Sequence, residues 1–329
     1  MSTINWLFEV NFAIFSVFLV LFVTELMGGI LLLLAYDATK AKVLPYIVPI
    51  WEVTGTFAAF WVVTADFAYP AMLIPVASLL SGLILVFLIL LVARNASISF
   101  AELIVKRGWI DERRLYQLYG LATLGIGICV VIILSAIVSG AGVTLSSLTF
   151  SFSGWVASSG SLLYLVGVLL IGVGLAPVFY NVEALRRVSL PLTTVGVAIE
   201  GGALYLYASS FLSAYFLIPA VLTVAASLLY QIRLTAPIAS QKFVFAVLGT
   251  VIIFSQSYLV YPTAFNGAIT VDQVTTSGPM VGAFYVLSAA GTVVVGLLMA
   301  LYLFAVHRAT RAPAHPGVPS PVAPVVHNP

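Results

Sequence analysis

Residues 48–61 read VPIWEVTGTFAAFW. The stretch is apolar enough for the interior of a bilayer, yet Glu52 stands in its middle, between Trp51 and Trp61. A carboxylate at such depth is costly and usually faces the protein interior or an ion path. Composition decides what kind of segment this is. Of 329 residues, 62% are hydrophobic and only 7% charged, and the mean hydropathy is +1.17. A soluble domain carries roughly a quarter charged residues. Apolar runs of about 20 residues, each able to cross a hydrocarbon core of about 30 Å, recur along the chain. The alternating segments of about 10 residues that mark a transmembrane β-barrel do not. The chain reads as an all-α polytopic membrane protein.

The apolar runs predict nine spans, near residues 10–36, 45–65, 71–93, 115–140, 161–182, 190–212, 214–232, 242–261 and 280–306. The boundary between the sixth and seventh is the least distinct. The 13 Lys and Arg residues orient them. Lys40 and Lys42 fall between spans one and two. Arg94, Lys106, Arg107, Arg113 and Arg114 fall between three and four, and Arg186 and Arg187 follow span five. Arg233 and Lys242 separate seven from eight, and Arg308 and Arg311 follow span nine. All lie on one side of this arrangement, so the positive-inside rule puts the N-terminus outside and the C-terminus in the cytoplasm.

The first run is too long for a signal peptide and lacks a basic leader, so no cleavable signal is expected. Residues 1–311 read as one transmembrane domain, and the Pro-rich tail 312–329 as disordered. The loop 94–114 mixes charges and reads as a cytoplasmic capping or contact segment. The outer loops 141–160 and 262–279 are rich in Ser, Thr and Gly and nearly uncharged.

Several chemistries lack their residues. His307, His315 and His327 all lie at or beyond the inner end of the last span, so no span offers a haem-ligating imidazole at depth. Met27, Met72, Met280 and Met299 read as packing residues, and Cys129, the one cysteine, as a small core residue. No metal-site or phosphate-loop pattern is present, and nothing suggests nucleic-acid binding. No cofactor is expected on this chain; redox groups would belong to another polypeptide.

Three carboxylates lie within spans: Glu25, Glu52 and Glu200. Asp66, at the outer end of the second span, reads as a solvated boundary residue. At 1.5 Å per residue, Glu52 sits about 12 Å below the cytoplasmic surface of the core and Glu25 about 16 Å from the inner end of its helix. Glu25 shares a helix face with Gly28 and Gly29; Glu52 shares one with Gly55, Thr56 and Ala59. Such small-residue faces let helices approach closely and offer a hydroxyl to the acid. Two acids close together in low dielectric suit proton passage; neutral carboxyls acting as hydrogen-bonded structural groups are the competing reading. Glu200, before Gly201 and Gly202, reads either as a further relay or as a helix break.

The residues also resemble a family. FVTELMGG (22–29), PIWEVTGTFAAFWVVTADFAYP (49–70) and a helix ending LLVARNASISF (90–100) are similar to subunit II of cytochrome bd quinol oxidases. A last hairpin with YP at 261–262 and ITVDQVTTSG at 269–278, carrying Asp272 with Thr275, Thr276 and Ser277, agrees. Val53-Thr54 and Phe57 depart from the family's residues around its Trp–acid pair. The resemblance implies two four-helix bundles plus one peripheral helix, and a haem-free subunit beside a haem-bearing subunit I that oxidises quinol and reduces oxygen to water. It allows a structural quinone in this chain. It implies a multi-pass protein of a prokaryotic cell membrane, surrounded by lipid. Glu52 would take protons from the cytoplasm and Glu25 pass them on. Trp51 would pack beside the acid and exclude water, with Thr54 and Thr56 in support. A secondary transporter with a midplane site at Glu200-Gly201-Gly202, or the structural anchor of another respiratory complex, are the rival readings.

Overall fold

The computed structural model describes residues 3–103, 111–207, 214–234, 242–260, 263–265, 269–270 and 278–311. It is an all-α fold built on an unusually long first element, α1 (Thr3–Ala68, 66 residues). One residue inside it, Ala35, is non-helical (φ −147°, ψ 53°), and there the chain doubles back. The two arms, 3–34 and 36–68, lie antiparallel. Asn11 Nδ2 donates to Thr64 Oγ1 (3.2 Å) at the far end, and the Tyr46 hydroxyl reaches Thr24 Oγ1 (3.3 Å) nearer the bend.

A break in a helix frees carbonyls that must find donors. The fully buried Thr39 supplies one: its hydroxyl lies within reach of the carbonyls of Leu31, Ala35 and Tyr36, closest to Ala35 at 2.8 Å. Spans one and two are therefore joined by a helical bend at Ala35. The expected open link at 37–44, with Lys40 and Lys42, is instead the first turns of the second arm.

α2 (Pro70–Leu79) and α3 (Ser81–Leu103) follow. They cover the third expected span, interrupted at Leu80 (φ −99°, ψ 13°). α3 runs on through Arg94 to Leu103, which corrects the loop expected to begin at 94. Arg94 is an interior residue, 2% exposed, and not a cytoplasmic loop charge. α4 (Glu112–Ser139) is N-capped by Asp111, which accepts from the Arg113 backbone, and ends at left-handed Gly140.

The outer segment after α4 is ordered. β1 (Val143–Thr144) pairs with β2 (Thr149–Phe150), and α5 (Phe152–Ala157) places Trp155 fully buried over the end of the bundle. Its indole nitrogen donates to Ser135 Oγ at 2.9 Å. The sequence shows polar residues here; the buried tryptophan is what orders them.

α6 (Ser161–Tyr180) and α7 (Arg186–Tyr207), joined by a short 3₁₀ turn at Glu183–Leu185, pack against each other along their length. A Cβ added at Gly196 would stand 2.9 Å from the Gly167 carbonyl, so the two backbones nearly touch. α8 (Ala214–Gln231), α9 (Lys242–Val260) and α10 (Gly278–Arg311) complete the described helices; β3 (Thr263–Ala264) and β4 (Ile269–Thr270) form a small hairpin before α10. Both α9 and α10 pack against α1.

Five described helical segments are long and apolar enough to cross a membrane: Glu9–Ala68, Ser81–Glu102, Glu112–Ser139, Ser161–Tyr180 and Glu183–Leu206. The first is the doubled α1. Large apolar side chains stand outward on α3, α7 and α10, among them Val92, Tyr205 and Val286, each 69% exposed. An outward apolar surface on that scale belongs in lipid, and the chain is a multi-pass α-helical membrane protein. The tail 312–329, Asp272, Thr275, Thr276 and Ser277 lie outside the described residues.

The main core lies around the bend of α1. Leu31, Leu32, Val43 and Ile47 meet Ile98 of α3, Tyr116 and Tyr119 of α4, and Phe179 and Tyr180 of α6.

Candidate functional site: two acids on the α1 hairpin

Glu25 lies on the first arm of α1 and is fully buried. It forms an ion pair with Arg94 Nη2 of α3 and accepts a hydrogen bond from the Tyr119 hydroxyl of α4, both at the same carboxylate oxygen, Oε1. The Arg94 guanidinium also lies 5.8 Å from the centre of the Tyr119 ring, close enough for a cation–π contribution. Arg94 Nη1 donates to Asn95 Oδ1 at 2.9 Å. Glu25 Oε2 and Arg94 Nε have no hydrogen-bond partner among the described residues.

The glycines beside Glu25 explain how so much chemistry converges there. A Cβ at Gly28 would lie 2.4 Å from Ile47 Cδ1 and 2.6 Å from the Tyr180 hydroxyl. Gly28 thus admits the second arm and α6. Gly29 meets α4: a Cβ on Gly120 would stand 2.4 Å from the Gly29 carbonyl oxygen. This close crossing carries Tyr119 to the acid. The Tyr180 hydroxyl, admitted at Gly28, donates to the Thr24 carbonyl at 2.8 Å.

Glu52 is placed differently. It is exposed, as are Gly55, Thr56, Ala59 and Asp66, so one face of the second arm presents small residues and two carboxylates to the outside of the chain. Val62 and Val63, 46% and 47% exposed, continue it. The structure does not bring Glu25 and Glu52 together: Glu25 is turned towards α3 and α4, Glu52 away from them. Nor does Thr56 serve the acid as expected, because its hydroxyl donates to the Glu52 backbone carbonyl at 3.0 Å. Thr54 is buried and bonds the Ile50 carbonyl at 3.1 Å. Trp51 is half-buried and packs inward on the main core. Trp61, the other flanking tryptophan, donates to Asn11 Oδ1 at 3.3 Å and stacks near Phe15 and Phe18.

Glu200 lies elsewhere, on α7. With Val168 and Ile171 of α6, Val197, and Phe216, Pro219, Ala220 and Thr223 of α8, it lines a half-open cavity of about 180 Å³. A Cβ at Gly167 would meet the Glu200 backbone nitrogen at 2.8 Å, so α6 and α7 are in direct contact beside the acid. No hydrogen bond links Glu200 to Glu25 or Glu52 among the described residues.

Sequence reasoning missed Arg94, Tyr119 and Asn11. Arg94 was legible in principle: it follows an unbroken apolar run (82–93) and precedes NASISF, with no helix-breaking residue to end the helix before it. Tyr119 carried a signal in the YxxYG spacing of 116–120, which sets two phenols one turn apart beside a glycine.

No family model matches the chain, and no curated protein matches it. Among solved structures, a chain of the bd oxidase from Geobacillus thermodenitrificans aligns with a TM-score of 0.63 at 18% sequence identity. The alignment covers 92% of this chain and 99% of that one. The protein has the fold of a bd oxidase chain.

Proposed function

We propose that the chain is the haem-free subunit II of a bd-type quinol:oxygen oxidoreductase in a prokaryotic cell membrane. In this reading nine spans form two four-helix bundles and a peripheral helix, with the N-terminus outside and the C-terminus in the cytoplasm. Haems, quinol oxidation and reduction of oxygen to water belong to the partner, subunit I. The three histidines at 307, 315 and 327 leave this chain no imidazole within a span. A structural quinone and bilayer lipid are compatible companions of the apolar surface.

The observation that carries the reading is the outward face of the second arm. A carboxylate directed away from its own chain at membrane depth must be covered by something polar or protein, and the small residues around Glu52 permit close helix contact. A partner subunit does both, and the bd oxidase fold supports that choice. This geometry also favours an order opposite to the one expected from the motifs alone. Glu25 is the interior acid and Glu52 the acid at the partner's surface, so protons from the cytoplasm pass Glu25 first and leave through Glu52. Trp51, packed inward beneath Glu52, keeps water from the interior side of that step. Glu200 would be a separate site on α7.

Purification of the native complex with its reduced-minus-oxidised spectrum is the test. A co-purifying haem subunit, with turnover that falls in Glu52→Gln while the haem spectrum persists, is the expected result. A complex without haem, or a Glu52→Gln complex at full turnover and proton uptake, would refute the partner and proton-path readings respectively.

A further inference from the structure

If Glu25 is the interior acid, it needs an entrance, and two sides of α1 could supply one. On the side of α6 and α9, the Lys242 ammonium lies 4.5 Å from the ring centre of Tyr46, 4.9 Å from Tyr180 and 5.6 Å from Phe179. The Tyr46 and Tyr180 hydroxyls both end on Thr24, next to Glu25. Three packed rings and the Lys242 ammonium held among them occupy that approach.

The side of α3 and α4 has the opposite chemistry. Glu102 is exposed near the end of α3 and accepts a hydrogen bond from the buried Tyr116 hydroxyl. Tyr119, one helical turn further along α4, is fully buried and donates to Glu25. The same face of α4 therefore carries two carboxylate–phenol pairs in succession, one open to the surface and one interior. The Tyr36 ring stacks on Tyr116 at 6.1 Å, and its hydroxyl donates to Glu112 at 3.2 Å. Asp37 pairs with Arg113 at 3.1 Å, and Lys40 stands over the Tyr36 ring at 5.3 Å. Among the described residues, carboxylates thus stand around the mouth, where Arg113 is engaged by Asp37 and Lys40 by the Tyr36 ring, and Arg114 is exposed beside them.

We infer that Glu102 and Tyr116 form the proton entrance to Glu25, with Tyr119 the last hydroxyl before it. The inference rests on the proton-supplying role proposed above. Glu102 takes a proton at the surface and gives it to Tyr116 Oη as that phenol's own proton leaves inward. Tyr119 repeats the exchange, so each phenol is neutral before and after. The two tyrosines are about 4.5 Å apart in axial rise, and the proposed route includes a bridging water between their hydroxyls. Tyr119 delivers the proton to Glu25 Oε1, the oxygen it already hydrogen-bonds, and the orphaned Oε2 is left for onward transfer.

The test uses the intact complex in proteoliposomes, following quinol turnover and proton uptake against pH. Glu102→Gln and Tyr116→Phe should each slow both by about tenfold or more, most steeply at alkaline pH, with the KM for quinol and the haem spectrum unchanged. Glu102→Asp should restore most of the rate, whereas Lys242→Met should leave it within about twofold of the parent. Should Tyr116→Phe fail to assemble, the surface variant Glu102→Gln decides alone. A normal rate and pH profile in Glu102→Gln, in a complex where Glu52→Gln is slow, would overturn the entrance while leaving the proposed function standing. Normal rates in both would remove the proton role itself.

Discussion

The two acids of the α1 hairpin have nearly the same local sequence logic and opposite environments. Each sits in an apolar helix with glycine three or four residues on. Glu25 has the second arm, α6 and α4 against its glycines, and at its carboxylate a cation from α3 and a phenol from α4. Gly55, three residues after Glu52, has no atom within 4 Å of where its Cβ would lie. A small residue beside a buried acid therefore marks a place for a neighbour, and whether the neighbour comes from the same chain is decided elsewhere. For Glu25 it came from Gly120, whose missing side chain lets α4 settle against the Gly29 backbone.

The difference can be broken most violently at the ion pair. Arg94→Met would leave Glu25 charged and buried with only Tyr119, a loss of about 3–5 kcal/mol; thermal unfolding of the purified complex should show it. Replacing Glu25 by Met in the same molecule should recover much of that loss, because an apolar pair of similar volume needs no solvation. A single Arg94→Met protein as stable as its parent would mean that the interior acid is not enclosed. Tyr119→Phe removes one donor to a charged acceptor and should cost about 1.5–3 kcal/mol by the same measurement. Gly120→Ala drives a methyl into the Gly29 carbonyl and should cost about 1–3 kcal/mol, read as a lower unfolding temperature and weakened protection of α4 in hydrogen exchange. Glu52→Gln sits at the other extreme. In the isolated chain its effect on stability should stay within about 0.5 kcal/mol, and a larger loss would place Glu52 in contacts of its own chain.

Much of this was legible in the sequence and part was not, for physical reasons. Periodicity and hydropathy locate helices because burial in lipid demands apolar length, and the motif around Trp51-Glu52 led to the same fold that the structural comparison shows. The face that each acid presents was out of reach. A carboxylate at i with glycines at i+3 and i+4 has one signature whether the face is covered from within or left open, since the covering residues lie 69 and 94 positions away in Arg94 and Tyr119. Arg94 misled for a related reason. Charge counting treats every arginine near a span end as a loop residue, whereas a buried carboxylate can hold one inside the helix. The 141–160 segment reads as polar chain because few residues, the fully buried Trp155 with Val143, Phe150 and Val156 packed beside it, carry the apolar weight that orders it.

The bend at Ala35 has a consequence for how this chain can vary. With helix running into it and out of it, there is no slack between the arms to absorb a change in length. One residue gained or lost between Ala35 and Glu52 would turn everything beyond it by about 100° about its own axis. Such a change would leave hydropathy and span length almost untouched, yet swing Glu52 from the outward face into the bundle and bring a core residue such as Ile50 towards the surface. The hairpin thus behaves as a key cut to one angle, and length at the bend is held by rotation, not by distance.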